Sequence, residues 1–174
     1  MTAALWLLPA PEEAAALAPL LAARGAEVGA PPLWPHLTVR GGLPGEPRAT
    51  FRRAREAGPP PSDLSLPVVA LVHARQRFLA LHLRLGDDPW LVAVRRRLAA
   101  VAPSETTPPP PHRSLLYGEL LEPRRAQLWR LAHQIGWPPL IRFDRLALVE
   151  PHGGDWSDLG SWRTIGEEPL AGVG

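Results

Sequence analysis

Apolar positions along the chain fall into short blocks, and the blocks alternate between two periods. Leu5 to Leu8 is a continuous apolar run of strand length. Glu12 to Arg24 is rich in Ala and Leu at helical spacing and is followed by Gly25, which predicts a helix with a glycine C-cap. A strand around His36 and Thr38 comes next, then a helix starting at Glu46-Pro47-Arg48 and a strand ending in Ala70-Leu71-Val72. Arg75-Gln76-Arg77 predicts a hairpin turn and an antiparallel pair. From Phe78 to Leu85 the alternation is regular. Leu79, Leu81, Leu83 and Leu85 are expected on the core face, with Phe78, Ala80, His82 and Arg84 opposite. Asp87-Asp88-Pro89 opens a helix, a strand carries His112 and Ser114, and Glu122-Pro123-Arg124 opens another helix. A strand ending in Ala147-Leu148-Val149 follows, and residues 161–166 read as a closing strand.

The order is β-α-β-α-β twice, and the sequence repeats with it. Pro35-His36-Leu37-Thr38 matches Pro111-His112-Arg113-Ser114, and Glu46-Pro47-Arg48 matches Glu122-Pro123-Arg124, both at an offset of 76. Ala70-Leu71-Val72 matches Ala147-Leu148-Val149 at 77. The expectation is one bilobal α+β domain over 1–174, with halves of about 1–76 and 77–152 and a closing strand in 153–174. The Pro-rich stretches 58–61 and 103–111 are read as stiff loops within it.

Composition narrows the chemistry. At 174 residues, 45% hydrophobic and 21% charged, a packed core is within reach. The absence of cysteine removes disulfides, thiolate catalysis and cysteine-ligated metal sites. All 19 basic residues are arginine. The pI of about 10.3 therefore reflects missing lysines and thiols, because the net charge is only +2. It gives no support for non-specific duplex binding. No apolar run is long enough for a membrane span. Pro9, Pro11, Glu12 and Glu13 break up the N-terminal apolar stretch, so no signal peptide is read and a cytoplasmic location is expected.

Residues i and i+2 of a strand share a face, so His36 pairs with Thr38 and His112 with Ser114. A pseudo-twofold between the halves brings two imidazoles and two hydroxyls to one cleft. That set suits phosphodiester hydrolysis without a metal. A neutral imidazole takes a proton from water, a charged one protonates the leaving oxygen, and the hydroxyls donate to the non-bridging oxygens. Arg40 lies on the His36 face and is a candidate phosphate ligand. Arg113 lies on the face opposite His112, where a structural or solvent role is expected. Phe78 and His82 share the face opposite the leucines, where packing against a helix is expected and lining the cleft to stack on a base is the alternative; Phe78 is kept as a candidate base contact. His73, His133 and His152 lack a partner motif, and no spacing supports a metal site. The clusters Arg52, Arg53, Arg55; Arg95, Arg96, Arg97; and Arg124, Arg125 are read as solvated helix faces, and Trp34 as core.

Pro-His-Leu-Thr-Val-Arg-Gly (35–41) and Pro-His-Arg-Ser-Leu-Leu-Tyr-Gly (111–118) resemble the twin motifs of the two-histidine phosphoesterase (LigT-like) superfamily. The second is most similar to that of the cyclic nucleotide phosphodiesterase branch. The resemblance implies a duplicated bilobal fold with mainly antiparallel sheets facing a central cleft. It implies His36 and His112 as the acid–base pair, usually the first as acid and the second as base, with Thr38 and Ser114 on the phosphate. Tyr117 matches the motif and is a candidate base or ribose contact, although strand parity places it opposite His112. The implied reaction opens 2′,3′-cyclic nucleotides or ADP-ribose 1″,2″-cyclic phosphate with no cofactor or metal, in a monomer that binds no membrane. A neighbouring branch acts on RNA termini as 2′,3′-cyclic phosphodiesterases once called 2′-5′ RNA ligases. It carries Leu-Gly/Ala-Arg where this chain has Leu115-Leu116-Tyr117, which favours a small nucleotide. RNA ends, and a non-catalytic nucleotide- or RNA-binding module on the same fold, are the alternatives.

Overall fold

In a computed structural model, residues 2–27, 33–61, 64–102, 109–134 and 137–170 are described. The elements are β1 (Thr2–Pro9), α1 (Pro11–Glu27), β2 (Leu37–Pro44), α2 (Pro47–Arg55), β3 (Leu64–His73), β4 (Leu81–Leu85), α3 (Pro89–Ala99), β5 (His112–Leu116), α4 (Glu122–His133), β6 (Leu140–Pro151) and β7 (Trp162–Pro169). Each helix has a proline in its first turn, where no helical hydrogen bond is lost. Asp88 caps α3, its carboxylate accepting from the Trp90 and Leu91 amides at 2.9 and 3.1 Å.

Two boundaries differ from the sequence expectation. Gly25 does not end α1, which runs on to Glu27; an interior glycine costs a helix only about 1 kcal/mol. The strand expected from Phe78 begins instead at Leu81, because the reversal after β3 uses residues 74–80 and winds Arg77–Leu79 into a 3-10 turn. Phe78 and Leu79 therefore leave the alternation, while Leu81, Leu83 and Leu85 keep it and are buried.

All strand pairs are antiparallel, in the order β1-β2-β5-β4-β3-β6-β7 with a further β1–β6 pairing. The twelve-residue β6 joins two lobes. Along one edge it pairs first with β3 and then with β7, and its other edge pairs with β1. One lobe is thus β2-β1-β6-β7, backed by α2 and α3. The other is β5-β4-β3 with the start of β6, backed by α1 and α4. Helices α1 and α3 cross over, α1 packing on β5 and α3 on β2. The lobes also meet where β2 pairs with β5 through one residue pair, Leu37 with Arg113.

Strand parity divides the buried residues into two clusters. Leu5, Leu7, Leu37, Leu83, Leu146 and Leu148 face the helices with Leu91, Leu98 and Phe51. Ala4, Trp6, Ala147, Val149 and Trp162 point the other way, with Tyr117 and Leu33, and form the floor between the lobes. Among the described residues no helix is long and apolar enough to cross a membrane.

Candidate active site

The cleft between the lobes has a volume of about 620 Å³. His36, Thr38 and Arg40, spaced two apart at the start of β2, all line it, as does His112 at the start of β5. The two histidines are held in the same way. The His36 Nδ1–H donates to the Trp34 carbonyl at 2.7 Å, and the His112 Nδ1–H donates to the Pro110 carbonyl at 2.9 Å. A carbonyl can only accept, so Nδ1 carries a proton in each ring and Nε2 is the nitrogen left to exchange a proton. The two carbonyls stand at the repeat offset of 76.

The surroundings differ. His36 is 4% exposed and stacks on Trp6, with ring centroids 3.7 Å apart and planes 12° apart. Its Nε2 accepts from the Tyr117 hydroxyl at 3.3 Å. Burial lowers its pKa to about 3; the Trp34 hydrogen bond opposes this, and the charges of His112 and Arg113 add to it. His112 is half-buried and has the His82 ring against it at 5.4 Å and 72°. Its pKa is also lowered, chiefly by burial, with the Pro110 bond opposing and His82 and Arg95 contributing. Burial pushes the Tyr117 phenol up to about 12, with a Ser114 hydrogen bond acting the other way.

Tyr117 follows the last residue of β5, so strand parity does not bind it. It lies in the cleft wall as a hydrogen-bond donor to His36, with Phe78 edge-on at 5.1 Å. Phe78, 40% exposed, lines the cleft from its 3-10 turn. Ser114 does not reach the cleft surface. Its hydroxyl is buried and donates to the Phe78 carbonyl at 2.9 Å, satisfying a polar group that burial would otherwise orphan. Arg40 borders the cleft, but its Nε donates to the Ala102 carbonyl at 3.1 Å, and Nη2 binds the same oxygen. Arg113, for which solvent was one expectation, is fully buried beneath α1. None of its three guanidinium nitrogens has a hydrogen-bond partner among the described residues. Burial lowers its pKa to about 10 against the opposing charge of Glu13.

No protein-family model and no curated protein matches the chain. Solved structures do. Escherichia coli LigT aligns with a TM-score of 0.58 at 15% identity, covering 97% of this chain and 96% of LigT. Kluyveromyces marxianus Usb1 aligns with a TM-score of 0.51 at 11% identity, covering 98% and 97%. The chain shares its fold with these two proteins.

On this fold, several cleft residues escaped the reading of the sequence. Arg95 is not on a solvated helix face: it lines the cleft, its Nη2 donating to the Thr38 carbonyl at 3.0 Å and its Nη1 to the Pro109 carbonyl at 3.3 Å. Its place four after Leu91 and three before Leu98, on the flank of the buried stripe, was the available signal. His82 packs against His112 rather than a helix, a contact that the pairing of His82 with Ser114 permits. Trp34, expected in the core, is 45% exposed, and it is its carbonyl that serves the site. Trp6, Trp156 and Trp162 supply an aromatic wall. Among the described residues Arg40, Arg77 and Arg95 line the cleft and no carboxylate does. His73 and His133 pack on Trp129 outside it, and His152 is exposed. Among the described residues no group of three His, Asp or Glu could hold a metal ion.

Proposed function

We propose that this chain is a phosphoesterase that opens the cyclic phosphate of a small nucleotide, a 2′,3′-cyclic nucleotide or ADP-ribose 1″,2″-cyclic phosphate, by acid–base catalysis from His36 and His112. The reading is carried by one observation. Two imidazoles, each with Nδ1 bonded to the carbonyl two residues upstream, border one cleft that among the described residues is lined by arginines and by no carboxylate. Such a cleft favours an anion, and paired imidazoles supply the two proton transfers that hydrolysis of a phosphodiester needs.

In the 2′,3′-cyclic case, water attacks phosphorus opposite the 3′ oxygen. One imidazole takes the water proton, the P–O3′ bond breaks, and the other imidazole protonates O3′. The product is the 2′-phosphate, and one proton has moved across the site. His36, held neutral by burial, fits the base; His112, more open and reached by solvent, fits the acid. This reverses the order that the motif resemblance implies. Thr38 and Arg95 border the phosphate position, and Phe78 and Tyr117 flank the room left for base and ribose.

The test is product analysis with 2′,3′-cyclic AMP in EDTA, beside His36→Ala and His112→Ala. Formation of the 2′-phosphate by the parent and its loss in both variants is the expected result. Near-parental turnover by either variant removes the mechanism, and no turnover of any cyclic phosphate leaves a nucleotide-binding module. A second reading keeps the chemistry and takes an RNA end bearing the cyclic phosphate. It is favoured by the arginine-rich helices beside the cleft.

A further inference from the structure

Thr38 and Ser114 stand at the repeat offset of 76, each two residues after its histidine, and the fold uses them differently. Thr38 lines the cleft. Ser114 is buried beneath the 3-10 turn Arg77–Leu79 that precedes β4. The register of β4 against β5 sets His82 directly across from Ser114, so the two side chains share a face of the sheet, and His112 shares it with them.

Three successive carbonyls of the turn are held from β4 and from β5 with its continuation. The Gly118 amide donates to the Arg77 carbonyl at 3.0 Å, the Ser114 hydroxyl to the Phe78 carbonyl at 2.9 Å, and the His82 Nδ1–H to the Leu79 carbonyl at 3.1 Å. Two of the three donors are side chains, and they belong to one cross-strand pair. Each is buried, so removing it leaves its carbonyl without a donor.

The turn carries what the cleft presents to a ligand. Gln76, Arg77, Phe78 and Leu79 are among the described residues that line the cleft, and neither Ser114 nor His82 is. Phe78 meets Tyr117 edge-on at 5.1 Å, Tyr117 meets Trp162 at 6.0 Å, and Trp162 meets Trp156 at 5.6 Å. Arg77 spans the lobes, its Nη2 donating to the Ser157 carbonyl at 3.1 Å beside Trp156. The turn therefore fixes one end of a row of rings that crosses from lobe to lobe. Raising it shifts the Phe78 ring and leaves Thr38 and Arg95 where they are.

Resting on the reading of the cleft as a cyclic-phosphate site, we infer that Ser114 and His82 are positioning residues for the base: they seat the Arg77–Leu79 turn and act on the substrate through Phe78, while Ser114 makes no contact with the phosphate. The duplicated hydroxyl has thus divided its labour. Thr38 faces the reacting group, and Ser114 holds the wall that selects what is attached to it.

The experiment compares 2′,3′-cyclic AMP with ribose 2′,3′-cyclic phosphate, which lacks the base, in the parent, Ser114→Ala, Phe78→Ala and the double variant. Ser114→Ala should raise KM for cyclic AMP by about fivefold or more, keep its kcat within about twofold, and leave kcat/KM for the base-free substrate within about twofold. Adding Ser114→Ala to Phe78→Ala should raise KM no further, because both changes act through one ring. His82→Leu should raise KM in the same way, and His82→Asn, which keeps a donor near the Nδ1 position, should restore it. An unchanged KM for cyclic AMP in Ser114→Ala, a tenfold loss of kcat on both substrates, or full additivity in the double variant overturns the inference. Amide exchange reads the seat without turnover. Protection at Leu79 and Gly118 should fall in Ser114→Ala while that of β1 and β6 is kept, and unchanged protection also overturns it. If the parent turns over neither substrate but the variant loses that protection, the cyclic-phosphate reading fails and the seat stands.

Discussion

His36 and His112 occupy equivalent places in the two halves, and the backbone treats them alike: each Nδ1 is held by the carbonyl two residues upstream. Their side-chain neighbours do not. His36 is sealed between the Trp6 indole and the Tyr117 hydroxyl. His112 has a second imidazole and a guanidinium nearby and remains half open. Local sequence fixes tautomer and direction, while the surrounding lobe fixes proton affinity. Two copies of one motif thereby hold imidazoles of different exposure and surroundings.

Removing either ring is the largest perturbation of this contrast. His36→Ala and His112→Ala should each lower kcat/KM for cyclic AMP by roughly 10²–10⁴. The roles separate on a diester with a nitrophenolate leaving group, which needs no protonation. His112→Ala should recover much of the parental rate there and His36→Ala should not; the opposite pattern reverses the assignment.

Acid separates the folded and unfolded chains next. His36 falls from 6.5 unfolded to about 3 folded, and His82 and His112 are also lowered. Below pH 6.5 the unfolded chain therefore binds more protons, and stability is lost as pH falls from there toward 3. Each fully buried histidine contributes a slope of up to about 1.4 kcal/mol per pH unit. Denaturant midpoints between pH 7 and 4 should show it, and His36→Phe should flatten it. The kcat/KM profile should decline on its alkaline side at a pKa below 6.5, set by His112. A plateau extending to pH 8 contradicts that.

Tyr117→Phe removes the donor to His36 Nε2, which stabilises the neutral ring. The His36 pKa should rise on NMR titration and kcat should fall by about tenfold or less. A His36 titration unchanged in this variant would show the hydroxyl to be a bystander. Arg113→Met should have the smallest effect on activity and a positive one on stability. It removes a buried charge with no hydrogen bond among the described residues, and a gain of about 1 kcal/mol raises Tm by about 2–4 °C.

What was legible in the sequence was whatever short-range geometry determines. Alternation along β2 is enough to put His36, Thr38 and Arg40 on one wall, and the proline-led helix starts mark where the elements begin. Arg95 reads like Arg96 and Arg97 in sequence, and only the approach of α3 to β2 turns it inward. Ser114 keeps its predicted strand, yet its hydroxyl is claimed by the carbonyl of a turn thirty-six residues away. Phe78 and Tyr117 were assigned to strand faces, but Phe78 lies in the 3-10 turn between β3 and β4 and Tyr117 directly follows β5, so alternation holds for neither.

The rung between Leu37 and Arg113 has a mechanical consequence. Everywhere else around the ring the strands are joined by several residue pairs, and this one stitch lies next to both histidines, since Leu37 follows His36 and Arg113 follows His112. The separation of the two imidazoles therefore rests on fewer backbone ties than any other join in the ring.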